Sequence, residues 1–143
     1  MERIGRRGVS SFLGEFTVPD KDVLIVDDDA DVREVLAEVL RDSGYTVDLA
    51  ATVAEAKKLL SEYRYGVVLA DWRLPDGDGS TIANLAEAIG SFAFVMSGYL
   101  TRMLPGNVDP RQTLMKPVRP AELLAAVRAC IGTATARTGN VAT

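Results

Sequence analysis

The chain has 143 residues, 16 Lys+Arg against 20 Asp+Glu for a net charge of −4, one cysteine and no histidine. The missing imidazole excludes Ser-His-Asp and Cys-His nucleophile systems, His-ligated zinc and any histidine that the chain could itself phosphorylate, leaving carboxylates, hydroxyls and lysine. The acidic balance argues against a non-specific nucleic-acid or anionic-membrane surface, while 48% apolar and 25% charged residues fit one globular domain with a core.

Residues 1–20 carry Arg3, Arg6 and Arg7 without the apolar centre of a signal peptide and read as a flexible N-terminal extension. The run Val23-Leu24-Ile25-Val26 stops at Asp27-Asp28-Asp29; a short apolar run without alternation predicts a strand covered on both faces. Val32, Val35, Leu36, Val39 and Leu40 then mark one stripe of a helix that ends at Gly44. Tyr45, Val47 and Leu49 alternate with polar neighbours, as in a strand nearer an edge. Thr52 and Glu55 have capping-box spacing and open a second helix with Ala56, Leu59, Leu60 and Tyr63 inward, closed by Gly66.

Val67-Val68-Leu69-Ala70 is a further buried-type strand and ends in Asp71. The turn cluster Pro75-Asp76-Gly77-Asp78-Gly79 precedes a short third helix through Ile82, Leu85 and Ile89. Phe92 to Met96 forms a fourth strand leading into Ser97, whereas Tyr99 to Gln112 is broken by Pro105, Gly106 and Pro110. Thr113-Leu114-Met115 is a fifth strand before Lys116-Pro117, and Pro120 opens a final helix with Leu123, Leu124, Val127 and Ile131 on its apolar face. Residues 132–143 are small and polar and read as a flexible tail too short for an output domain. The lone Cys130 fits a reducing cytoplasm, and no apolar run approaches the ~18 residues of a membrane span. Alternating strands and helices with one core predict a three-layer α/β domain over residues 21–131.

Four strands end in reactive polar residues: Asp27-Asp28, Asp71, Ser97 and Lys116. Ligands of open α/β sheets bind beyond the carboxyl ends of the strands, near the topological switch point. If the first and third strands are neighbours, three carboxylates crowd one volume and must take up protons or gather a cation. A histidine-free, all-oxygen set suits Mg²⁺, and a lysine and a hydroxyl beside it suit an anion such as a phosphoryl group. Each residue also has a plainer reading: the acidic triplet as helix caps, Asp71 and Ser97 as turn residues, Lys116 as a solvated lysine and Trp72 as packing.

The runs Val23–Asp29, Val68–Gly79, Val95–Gly98 and Leu114–Pro117 together resemble the four signature blocks of two-component response-regulator receiver domains. The resemblance covers residues 21–131 and implies a flavodoxin-like, doubly wound, five-stranded parallel sheet of order 2-1-3-4-5, here with shortened third and fourth helices as departures from the pattern. It implies Asp71 as the phosphoacceptor, with Asp28, Asp71 and the backbone carbonyl of Arg73 on Mg²⁺ and Asp27 acting through water. Lys116 would pair with Asp71 and then with the phosphoryl oxygens, Ser97 would swing onto them, and the Lys116–Pro117 bond would be cis. Arg73 and Tyr99 flank the site at positions that tune dephosphorylation in the family. The implied role is cytoplasmic signal transduction through protein contact, not turnover of a substrate. The implied partners are a histidine kinase or phosphotransfer protein, an unnamed protein target and, as an open arrangement, a homodimer, with no direct nucleic acid and no membrane.

Departures from the pattern bear on output. Thr113 stands where the family carries an aromatic switch residue, the fourth-helix segment is broken, and 26 positions (97 − 71) separate Asp71 from Ser97, which shortens the third helix. Two other functions compete. One is a receiver-fold interaction module with an inoperative switch. The other is a haloacid-dehalogenase-like phosphatase built on Asp27-x-Asp29, Ser97 and Lys116, which lacks an acidic pair after the lysine.

Overall fold

The computed structural model describes residues 18–98 and 112–133. Strands β1 (Lys21–Val26), β2 (Val47–Ala50), β3 (Tyr65–Asp71), β4 (Phe92–Ser97) and β5 (Thr113–Met115) form one parallel sheet in the order β2-β1-β3-β4-β5. Helices α1 (Ala30–Asp42), α2 (Val53–Glu62), α3 (Gly79–Ala88) and α4 (Pro120–Ile131) cover its two faces. Val23, Ile25, Val67 and Leu69 pack against Leu36 and Leu40 of α1 and Leu123 and Val127 of α4. Leu24, Val26, Val68 and Ala70 pack against Ala56 and Leu60 of α2 and Ile82 and Ala86 of α3. Double coverage explains why β1 and β3 are apolar without alternation.

The register places the strand-end residues. Val26 lies beside Ala70, so Asp27 and Asp71, next in their chains, leave β1 and β3 as neighbours. Asp71 lies beside Met96, and Ser97 beside Met115, so Ser97 and Lys116 emerge in the same row. The chain switches from one face of the sheet to the other between β1 and β3, which opens the crevice at their carboxyl ends.

Several sequence expectations need correction. Gly66 does not close the second helix; β3 starts at Tyr65 and Gly66 lies buried within it. A Cβ there would stand 2.9 Å from Ile131 Cγ2 and 3.1 Å from the Asp22 carbonyl, so the glycine lets the end of α4 seat on the sheet. Tyr45 precedes β2, where its buried ring sends its hydroxyl to the Gly132 carbonyl at 2.6 Å. Val35 is 57% exposed, and Ala37 takes its place in the buried stripe of α1. Ile89 caps α3 at the surface, while Ala86 fills the buried position.

Other expectations hold. Asp29 caps α1 through the amides of Asp31 and Val32, Thr52 caps α2, Pro120 begins α4, and the Lys116–Pro117 bond is cis. The α3 helix is ten residues long, while the broken fourth-helix segment, Tyr99 included, lies outside the described residues, as do most of the N-terminal extension and of the tail. No helix among the described residues is long and apolar enough to cross a membrane.

Because the atoms facing Gly66 are a branched methyl and backbone, Gly66→Ala is expected to destabilise the fold by about 1–3 kcal/mol, the usual cost of overpacking. Chemical denaturation with an unchanged slope and a lowered midpoint checks this; an unchanged midpoint contradicts it.

Candidate functional site

Asp27, Asp28 and Asp71 each present a carboxylate oxygen within 4.8 Å of the others at the carboxyl ends of β1 and β3. Their settings differ. Asp27 is fully buried, with Oδ1 accepting from the Asp29 amide at 2.9 Å and its backbone carbonyl accepting from Arg33 Nη1 at 2.7 Å. Asp28 is exposed in the turn before α1, and Asp71 is half-buried at the end of the central strand.

Lys116 brings the compensating charge. Its Nζ lies 2.7 Å from Asp27 Oδ2 and 3.3 Å from Asp71 Oδ2, so it bridges the two acids and sits closer to Asp27 than to its expected partner Asp71. Asp27 is the more deeply desolvated carboxylate and therefore has more to gain from a direct ion pair. The Lys116 amide donates to the Ser97 carbonyl at 2.7 Å, which fixes the start of the lysine's reach. Burial alone would lower the Lys116 ammonium, but the hydrogen bond and charge of Asp27, joined by Asp71, outweigh it and hold the lysine above its ordinary value.

Burial, then the charge of Asp27, push the Asp71 carboxyl up, opposed by Lys116 and by the dipole of the nearby Arg73 amide. A carboxylate disfavoured in this way is more basic, and more nucleophilic, than one in water. Ser97 is 2% exposed, and its Oγ is buried without a hydrogen-bond partner among the described residues. A buried hydroxyl left unpaired is costly, and here it belongs to the row of strand-end residues. Trp72 is half-buried and donates its amide to the Met96 carbonyl at 2.7 Å, consistent with packing beside the site.

The backbone around Asp71 is tightly constrained. Gly79 sits on the Asp71 carbonyl so closely that a Cβ would stand 2.3 Å from that oxygen. The turn after Asp71 folds into a two-residue antiparallel ribbon, Arg73–Leu74 with Gly77–Asp78, and Asp78 caps α3 through the amides of Ser80 and Thr81. Asp76 at the ribbon tip reaches α2, where its carboxylate accepts from Val53 and Ala54. Sequence reasoning missed that contact, the Arg33 bond and the preference of Lys116 for Asp27. The first and third join residues 23 and 89 positions apart, so no local pattern announces them. The acidic triplet divides its work: Asp29 is a helix cap, while Asp27 and Asp28 face the cluster.

The profile of the response regulator receiver domain family matches residues 23–128. Among curated relatives, the DNA-binding response regulator MtrA of Mycobacterium tuberculosis is 33% identical over 113 residues, 75% of this chain and 49% of the relative. The phosphate regulon transcriptional regulatory protein PhoB of Pseudomonas aeruginosa is 29% identical over 118 residues, 78% of this chain and 52% of the relative. The chain thus spans about half the length of the curated relatives it matches. A response regulator receiver protein from Sinorhizobium medicae superposes with TM-score 0.69 at 27% identity, covering 77% of this chain and 93% of that one. A CheY-like receiver domain protein from Methanospirillum hungatei gives 0.64 at 26%, covering 76% and 91%.

Folding disfavours the ionised Asp71, so its destabilising effect is present above the raised value, shrinks as pH falls through it, and is gone below the ordinary aspartate range. Asp71→Asn is therefore expected to raise the thermal unfolding midpoint at pH 7 and to lose that advantage by about pH 3. A lower midpoint at pH 7 would mean that the Lys116 pairing outweighs the crowding.

Proposed function

The chain belongs to the response regulator receiver family, and on that premise we propose that Asp71 accepts a phosphoryl group from a phosphohistidine on a partner kinase or phosphotransfer protein, at a site that takes Mg²⁺. The observation that carries this reading is the cluster of Asp27, Asp28 and Asp71 bridged by Lys116. The donor set is all oxygen, as a hard cation requires. Oxygens sharing an ion at about 2.1 Å stand roughly 3–4.2 Å apart, so the cluster needs only a small closing or a water in one position. Asp28, Asp71 and the Arg73 carbonyl would hold the ion directly, with Asp27 acting through water. When bound, the ion neutralises charge on the transferring oxygens.

The chain's own residues do the rest. An Asp71 carboxylate oxygen attacks phosphorus, forming a P–O bond while the P–N bond to the donor imidazole breaks. Lys116 keeps its bond to Asp27 and turns its remaining N–H groups from Asp71 to the phosphoryl oxygens. Ser97, whose Oγ has no partner among the described residues, donates a hydrogen bond from its hydroxyl to one of those oxygens and so registers the modification. Burial of Asp71 and the close fit of Gly79 hold the acceptor in line. The protein catalyses only its own phosphorylation and dephosphorylation and signals by protein contact, over the unit 21–131, in the cytoplasm. Neither direct DNA contact nor a homodimer is needed for this chemistry.

A second reading, a receiver-fold interaction module without an operating switch, is favoured by Thr113, which lies half-buried at the start of β5 where the switch aromatic is missing. The phosphatase reading is disfavoured, because Glu122 after Lys116 is spent on the Arg119 amide at the start of α4.

Incubation with acetyl phosphate and MgCl₂ is expected to add one phosphoryl group by intact mass, and to add none to Asp71→Asn or in the presence of a chelator. Ser97→Ala should still be labelled, yet show smaller amide shifts beyond the site with beryllofluoride. Absence of label on the wild type, or equal labelling of Asp71→Asn, would sink the phosphoacceptor reading.

A further inference from the structure

The segment Trp72–Asp78 leaves the acceptor aspartate and is pinned at both ends. At its base Gly79 lies on the Asp71 carbonyl with its own amide donating to the Trp72 carbonyl at 2.9 Å, and the Trp72 amide donates to the Met96 carbonyl at 2.7 Å. At its tip Pro75, Asp76 and Gly77 are exposed, held together by a two-residue ribbon that is marginal alone. The tip is fastened from outside. Asp76 Oδ1 accepts from the Val53 amide at 2.8 Å and Oδ2 from the Ala54 amide at 3.0 Å.

Those two N–H groups belong to the first turn of α2 and have no partner within the helix. The side chain of Thr52, the N-cap, takes the Glu55 amide, so Asp76 completes a cap that the local sequence leaves unfinished. Both bonds involve a charge and point along the positive end of the helix dipole. They also hold the Asp76 carboxyl below the usual carboxylate range, the Val53 amide most strongly, with desolvation opposing it and the Ala54 amide adding to it. Packing follows the same line: Leu74 and Val53 share one core cluster, and a Cβ at Gly77 would stand 3.1 Å from Val53 Cγ2.

We propose that Asp76 is a positioning residue for the acidic site: by tying the ribbon tip to α2 it holds the Arg73 backbone at Asp71, and it makes the first turn of α2 part of the same mechanical unit. This rests on the reading of the cluster as a Mg²⁺ centre. Arg73 supplies the one proposed cation contact that is not an aspartate side chain, and the carbonyl of a residue in a two-residue ribbon is aimed only as well as the ribbon is held. Cation binding is then felt at the amides of Val53 and Ala54, which themselves carry no ligand. With Thr113 in place of an aromatic on β5, this gives the site a second route to the surface, through α2.

The test uses the full chain, with Mg²⁺ titrated against the fluorescence of Trp72, the single tryptophan, and against amide spectra. In the wild type, Mg²⁺ should change the fluorescence and shift the Val53 and Ala54 amides. Partners that orient metal ligands cost about 10–100-fold in affinity when removed; Asp76 acts one step farther out, so Asp76→Ala should weaken Mg²⁺ by about three- to tenfold and abolish the response of the α2 amides. Asp76→Asn keeps one acceptor oxygen, enough for one of the two amides, and should fall between the wild type and Asp76→Ala. Asp76→Ala with wild-type affinity and a folded spectrum would overturn the proposal, as would Asp76→Asn behaving like Asp76→Ala, which would assign the effect to charge. If Asp76→Ala does not fold, the wild-type amides decide: Val53 and Ala54 unmoved at saturating Mg²⁺ overturns it. A wild type that gives no Mg²⁺ response of any kind fails the cation reading itself, an outcome distinct from one in which only the variants disappoint.

Discussion

Lys116 Nζ lies between a fully buried Asp27 and a half-buried Asp71, at 2.7 and 3.3 Å, and the rest of the site is organised by that bridge. Two carboxylates at the ends of adjacent strands repel each other in a medium far less polarisable than water. One ammonium between them offsets part of the repulsion, but the third acid, Asp28, leaves the cluster short of positive charge. Under the proposed function that deficit is the driving force: a cation would relieve it, and an incoming phosphoryl group would then share the lysine. The bridge exists only because β1, β3, β4 and β5 are in register, since Lys116 comes from the far side of the sheet and its amide is hung on the Ser97 carbonyl.

Close packing turns that register into precision. Gly79 against the Asp71 carbonyl and Gly66 under Ile131 are two places where backbone meets its neighbour with no room for a methyl group, one at each pole of β3. The first fixes the backbone of Asp71, and the second fixes the helix that follows Lys116. Between them the central strand is buried on both faces, so the site is carried by a rigid element.

Much of this was legible in the sequence because it is local. Apolar runs without alternation marked β1 and β3, the polar residue that ended each run named the site, and cap residues such as Asp29, Thr52 and Pro120 fixed where helices begin. The errors came where distant parts of the chain decide the outcome. Gly66 looks like a helix terminator until α4 is packed over it, Val35 fits the apolar stripe by spacing but projects past its edge, and Tyr45 belongs to the alternation of β2 only if its bond to Gly132 is ignored. Asp76 is the clearest case. In the sequence it is one more turn aspartate, and its partners lie 22 and 23 positions earlier.

The charge deficit at the strand ends is tested most directly by thermal unfolding of the unmodified chain in MgCl₂ and in NaCl of equal ionic strength. A ligand that binds only the native state adds stability in proportion to the logarithm of its concentration, about 2.7 kcal/mol at a hundred times its dissociation constant. The account predicts a midpoint that climbs with MgCl₂ well beyond the matched NaCl series, and a gain that shrinks in Asp28→Asn. Identical midpoints in the two salts at every concentration would contradict it.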